Sequence, residues 1–212
     1  MEKIRKNGIS AALEIARINI RHNFRGHFAL AAVCTVLIPV FFGTENLSAQ
    51  AAAAPMELMF CLTGIILLTP VFQPEQNPQI ADVVNTKYIP ASWVYIIRTV
   101  YSILALLALT MLFAAYMSLH HCTVTFALLF GAFSDALFLG SLGYMSSAVT
   151  KNTAVSYMLP LIYYALNYSA GGRLGKFYLF GMMNGDYAPN LWLFLGGICF
   201  LAAGLGISAV RR

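Results

Sequence analysis

Six apolar runs, each bounded by polar residues or by Gly and Pro, organise this chain: 28–42, 56–72, 93–119, 124–149, 154–168 and 191–210. A helix crossing a bilayer core needs ~20 mostly apolar residues, and every backbone polar group in it must be hydrogen-bonded within the segment. The runs therefore predict an all-α polytopic membrane protein with about six transmembrane helices. The third and fourth are long enough to cross with tilt, whereas the first and fifth are short and must borrow flanking residues. The first run, followed by Ser48-Ala49-Gln50-Ala51, also imitates a secretory signal. Its polar lead-in is long and its apolar run sits at the upper limit, so it is read as a retained span.

Little is left over for anything else. Of 212 residues, 59% are hydrophobic and 10% charged, against roughly a quarter charged in a soluble domain. A single membrane domain takes up residues 1–212, with no water-facing unit large enough for enzymatic work. The net charge of +5 would serve nucleic acid only from a basic patch on a water-facing fold, so no nucleic-acid partner is expected and the charge marks a membrane face. Cys34, Cys61, Cys122 and Cys199 lack the short spacings of zinc or redox motifs and are read as small packing residues.

Positive residues are retained on the cytoplasmic side of a membrane. Under a six-span reading, Lys3, Arg5, Lys6, Arg17, Arg21, Arg25, Lys87, Arg98, Lys151, Arg211 and Arg212 fall on one side, and only Arg173 and Lys176 on the other. That bias predicts an even number of spans and cytoplasmic termini. Ahead of the first span, Ile9, Leu13, Ala16 and Ile20 recur at helical spacing, with Glu14, Arg17 and Arg21 in another sector and Ser10 placed to cap. The pattern predicts an amphipathic helix in residues 1–26, lying in the interface against membrane lipids.

One cytoplasmic loop has length, residues 74–91 between spans one and two (27–73) and spans three to five (92–170). Pro78 suits a helix start and Pro90 cannot continue one, leaving roughly 79–87 as a short helix. Ile80, Val83, Val84 and Lys87 then share a face, which suits insertion into a groove on a partner or packing against the protein's own helix ends.

This order of parts resembles the ABC-2 family of ABC transporter permeases, the membrane halves of many bacterial exporters. Glu75, the helix to Asn85-Thr86, the turn Tyr88-Ile89-Pro90-Ala91-Ser92 and Arg98 occupy the places of that family's coupling-helix loop. A second likeness is the stretch Leu139-Gly140-Ser141-Leu142-Gly143-Tyr144-Met145-Ser146-Ser147-Ala148-Val149-Thr150-Lys151-Asn152, similar to the small-residue end of span four and its Thr-Lys-Asn turn. The chain departs in lacking the Gly-Thr pair usual before the coupling helix and in carrying Lys87-Tyr88 within the turn. The resemblance implies an ABC-type ATPase subunit docked at Glu75, Gln79, Ile80, Asp82, Val83, Val84 and Lys87, with ATP and Mg bound there and no cofactor on this chain. It also implies a second permease copy or a paralogous permease, an external re-entrant segment within 171–189, and a sixth span over 190–212. The nearest approach to a phosphate loop, Gly171-Gly172-Arg173-Leu174-Gly175-Lys176-Phe177, has its glycines one residue short and Phe177 in place of Ser or Thr.

Few polar residues could carry chemistry. Asp135, mid-way along the fourth run, costs at least ~2.5 kcal/mol in lipid unless paired or hydrated, so it faces protein or water. It lines a translocation path or proton-linked site, or it serves as a structural hydrogen-bonding or neutral acid. Arg98, little more than a turn inside span three, reads as a cytoplasmic anchor able to snorkel. His120-His121-Cys122 cannot close a tetrahedral metal site from one turn. The stretch 177–183 is too short to cross and rich in aromatics that favour the headgroup zone. The resemblance places an external gate there, at Phe177, Tyr178 and Phe180, and simple anchoring is the alternative. Glu57, Asp135 and the histidines are scattered, and no catalytic Ser/His/Asp or paired-carboxylate arrangement assembles at one depth. The chain is thus expected not to be an enzyme. The main expectation is a multi-pass cell-membrane permease exporting a lipid, peptide or drug, and the alternative is an ATP-independent carrier, channel or assembly scaffold.

Overall fold

The computed structural model describes residue 17 and residues 24–76 and 91–210. The interfacial helix expected before residue 24, the coupling helix expected over 79–87 and the side chain of Glu75 lie outside the described residues. The rest is helical, with no strand among the described residues. The α-helices are α1 (Arg25–Phe42), α2 (Ala49–Pro55), α3 (Leu62–Leu68), α4 (Ala91–Leu119), α5 (Phe126–Thr150), α6 (Thr153–Ala170) and α7 (Ala188–Val210).

Five stretches are long and apolar enough to cross a membrane: Arg25–Phe42, Ala49–Pro74, Trp93–Leu119, Phe126–Thr150 and Ala188–Ala209. Helix α6 corresponds to the fifth apolar run and has the length of a short span, but Tyr157, Tyr163, Tyr164, Asn167 and Tyr168 dilute its apolar character. The second run proves to be the centre of a longer, segmented rod. Ser48 caps α2 by accepting from the Ala51 N–H (3.4 Å), and Pro55 leads into a π turn, Met56–Phe60. Helix α3 follows, and then a 3₁₀ turn, Thr69–Gln76. The alanine-rich start of this rod escaped a reading based on large apolar residues.

Local chemistry sets the other boundaries. Gly43, at φ 58°, closes α1 in the left-handed conformation that glycine adopts without strain. The Thr125 hydroxyl accepts from the Leu128 N–H (3.3 Å) to start α5. Asn152 Oδ1 accepts from the N–H groups of Ala154 (2.9 Å) and Val155 (3.4 Å) to start α6, so α5 and α6 form a hairpin across Lys151 and Asn152.

Helix α5 is the axis of the bundle. Its apolar window is 72% buried, against 17% for α1 and 22% for α7, so α1 and α7 lie on the periphery. Small residues let the backbones meet: a methyl group at Gly140 would lie 2.6 Å from Leu68 Cδ1 and 2.8 Å from the carbonyl carbon of Gly64. Of the cysteines, Cys61 and Cys122 are buried packing residues as expected, while Cys199 is exposed on α7.

Candidate functional site

The segment between α6 and α7 turns back into the bundle at the end that also carries Ser48 and Thr125, called here the cap end. It comprises a 3₁₀ turn, Gly171–Phe177, a turn through residues 178–181, and a second 3₁₀ turn, Met182–Asn184. Leu179, Phe180 and Met182 are buried. Asn167 at the end of α6 holds the descent, with Oδ1 accepting from the Leu179 N–H (3.0 Å) and Nδ2 donating to the Tyr163 carbonyl (3.1 Å). The Tyr163 hydroxyl in turn donates to the Phe177 carbonyl (2.7 Å).

The lowest point of this segment is received by Glu57. The π turn has its Cys61 N–H on the Met56 carbonyl (3.1 Å), and it is tied to α6 by the Tyr164 hydroxyl, which donates to the Leu58 carbonyl (2.6 Å). Such turns re-aim side chains and recur at functional positions. Here the fully buried Glu57 carboxylate accepts from the N–H of Met182 at Oε1 (2.6 Å) and from that of Met183 at Oε2 (3.0 Å). These N–H groups begin the 3₁₀ turn and have no partner within it, so the carboxylate caps the turn across 125 residues of sequence. Behind the turn, Met182 fits the notch at Gly131 of α5, where a methyl group would lie 2.9 Å from Met182 Cε.

One helical turn below Gly131 on the same face stands Asp135, also fully buried. Among the described residues neither of its oxygens has a hydrogen-bond partner, so the structural hydrogen bond considered from the sequence is not found. Glu57 is close enough to act on it electrostatically, and both act on Cys61. The two carboxyls that look scattered in the sequence thus share one interior. Their donor supply is unequal: Glu57 receives two N–H groups, and Asp135 has none to stabilise a charge. Sequence reasoning names Glu57 but sets it aside as scattered from Asp135, although an acidic residue two positions after Pro55 inside an apolar run is a signal of the same kind as Asp135.

The three expected gate aromatics differ in exposure. Phe180 is buried among Tyr164, Tyr168 and Tyr178, with ring centroids 5.4, 6.1 and 5.9 Å away and edge-on geometry. Phe177 is on the surface, its ring against Phe138 at 5.9 Å, and Tyr178 is half-buried. Beside them an open cleft of about 390 Å³ includes Lys176, Asn184, Asp186 and Trp192 in its lining. The turn 120–122 does structural work at this end: the Asn46 N–H donates to the His120 carbonyl (3.0 Å) and the Thr123 N–H to the Leu47 carbonyl (2.9 Å), joining two loops. Among the described residues no cluster of His, Cys, Asp and Glu could hold a metal ion.

At the opposite end, both flanks of 77–90 are fixed to the bundle. Arg98 is buried and donates from Nη1 to the Val71 carbonyl (3.0 Å), so it is folded inward rather than extended to an interface. Phe72 packs between Tyr95 (4.8 Å) and Tyr144 (4.6 Å), and the hydroxyls of Tyr144 and Thr99 share a hydrogen bond (3.0 Å).

No protein-family model, no curated protein and no solved structure matches this chain.

Proposed function

We propose that this chain is the membrane permease subunit of an ABC-2 type transporter, exporting a hydrophobic or amphipathic substrate with energy from ATP hydrolysed on a separate subunit. The observation that supports the reading best is the cap segment between α6 and α7. It buries Leu179, Phe180 and Met182 at one end of the bundle, while the flanks of residues 77–90 lie at the other. A plug at one mouth and a docking loop at the other are the parts an alternating path requires. In this reading α6 is the fifth of six spans, the termini are cytoplasmic, and two permease subunits flank the path. The helix over 79–87 docks the ATPase, which binds ATP and Mg. Phe180 serves as the gate residue, because it is the member of the aromatic trio that lies inside, and Asp135 stands on the path below it.

Co-purification from intact membranes is the direct test. An ATPase subunit should be retained by the wild-type protein and lost when Asp82 and Lys87 are charge-reversed and Val83 and Val84 made polar, with transport lost in parallel. If no ATPase is retained and transport is unchanged in that variant, the ATP-independent carrier, channel or scaffold takes its place.

A further inference from the structure

We infer that Glu57 is the positioning residue of the outer gate: its carboxylate latches the Met182–Asn184 turn into the notch at Gly131, and release of that latch is the step that opens the cap end. This deepens the permease reading above and rests on it for the word gate.

The cap segment is held to α6 by hydrogen bonds along its upper part, through Asn167 and Tyr163. Its deepest turn has a different attachment, two N–H groups on one carboxylate from the second span. Met182 itself brings only a thioether, soft packing with no directional bond. Charge-assisted bonds are the strong ones, and in a buried setting their loss leaves both a carboxylate and two N–H groups without partners. The turn is thus firmly seated while Glu57 is in place, and among the described residues Glu57 is the side chain that accepts from the N–H groups of Met182 and Met183.

The second span is built to move that carboxylate. Glu57 lies on the π turn, between Pro55 and Cys61, where the helix departs from regular α geometry and the bonding register shifts by one residue. A change of one residue in register along such a turn rotates its side chains, which would withdraw Glu57 from the Met182 and Met183 N–H groups. Below the seated turn are the buried groups Cys61, one helical turn on from Glu57, and Asp135, one turn on from Gly131. Met182, seated at Gly131, lies one helical turn nearer the cap end than that carboxyl.

The experiment is thiol labelling in proteoliposomes. Met182→Cys is introduced with Cys34, Cys61 and Cys199 replaced by Ala. Cys122, buried at the other pair of cap-end loops, is kept as the control thiol. A charged, membrane-impermeant methanethiosulfonate is applied from the cap side, and the rate at each site is read by peptide mass spectrometry. With Glu57 intact, position 182 should react slowly. Glu57→Ala should raise its rate at least roughly tenfold, the order expected for losing a charge-assisted hydrogen bond. Glu57→Gln, which keeps one acceptor, should fall between, and Cys122 should be unchanged in all three. Fast labelling at 182 with Glu57 intact, an unchanged rate in both variants, or an equal rise at Cys122 would each overturn the latch. If Glu57→Ala fails to assemble, Glu57→Gln carries the comparison alone. The outcome is independent of any ATPase: retained ATPase with unchanged labelling removes the latch and leaves the permease reading, and the converse removes the reading and leaves a latched cap.

Discussion

Arg98 and Val71, on opposite sides of residues 77–90, are joined by a 3.0 Å hydrogen bond from the guanidinium Nη1 to the main-chain carbonyl. The bond links the start of α4 to the 3₁₀ turn Thr69–Gln76. Phe72, next to Val71, continues the connection to Tyr144 on α5, with ring centroids 4.6 Å apart.

Removing that guanidinium should be costly because its acceptor is buried. Arg98→Ala is expected to lower stability by about 1.5–3 kcal/mol, the range for a hydrogen bond from a charged group. Arg98→Lys should recover part of this, since an ammonium can reach one carbonyl but lacks the fork of donors. Thermal unfolding of the purified protein in detergent measures both. Melting of Arg98→Ala at the wild-type temperature would show that the contact carries no stability.

The approach of α3 to α5 gives a sharper contrast among glycines. A side chain at Gly140 meets Gly64 and Leu68, whereas one at Gly206 on α7 meets nothing within 4 Å. Gly140→Val is therefore expected to destabilise by at least about 1–3 kcal/mol through overpacking. Gly206→Ala should be neutral or stabilise by about 0.5–1 kcal/mol, because the helix interior disfavours Gly relative to Ala. Equal melting temperatures for the two variants would contradict the packing described.

The π turn supplies a third measurement. Tyr164→Phe removes the hydroxyl that donates to the Leu58 carbonyl while keeping the ring that packs on Phe180. A loss of about 1 kcal/mol is expected. Hydrogen exchange at Met182 and Met183 should accelerate as well, since the same turn aims Glu57 at their N–H groups. Tyr144→Phe, whose hydroxyl partner Thr99 lies at the other end of the bundle, should leave that exchange unchanged.

Helices whose boundaries are drawn by large apolar residues were legible in the chain: the run 93–119 lies within α4, and the run 124–149 is α5 with its Thr125 cap. The start of the second span was not, because Ala49–Pro55 carries alanines and Gln50 rather than large side chains, and its burial comes from tertiary packing. The partnership of Glu57 with Met182 was also illegible. It depends on a π turn that redirects one side chain and on a segment 125 residues later folding back to meet it. Periodicity records which face of a helix is apolar and carries no information on which distant N–H a buried carboxylate will find. Asp135 could be singled out from its cost in an apolar helix, but its company could not.

Asp135 is fully buried, has no hydrogen-bond partner among the described residues and lies within electrostatic reach of Glu57. A group that forms no bond contributes nothing to stability to offset its desolvation, and ionisable residues at such depth in a membrane bundle are retained for function. Asp135→Asn exchanges one unpartnered polar group of the same shape for another, so its melting is expected to stay within about 0.5 kcal/mol of wild type. Transport should nevertheless fall at least about tenfold, because the amide can neither carry charge nor exchange a proton. Melting and transport assays on the same preparation separate the two roles left open by the sequence. Loss of stability with transport spared assigns Asp135 to the scaffold. Loss of transport in a fully folded protein assigns it to the transport path.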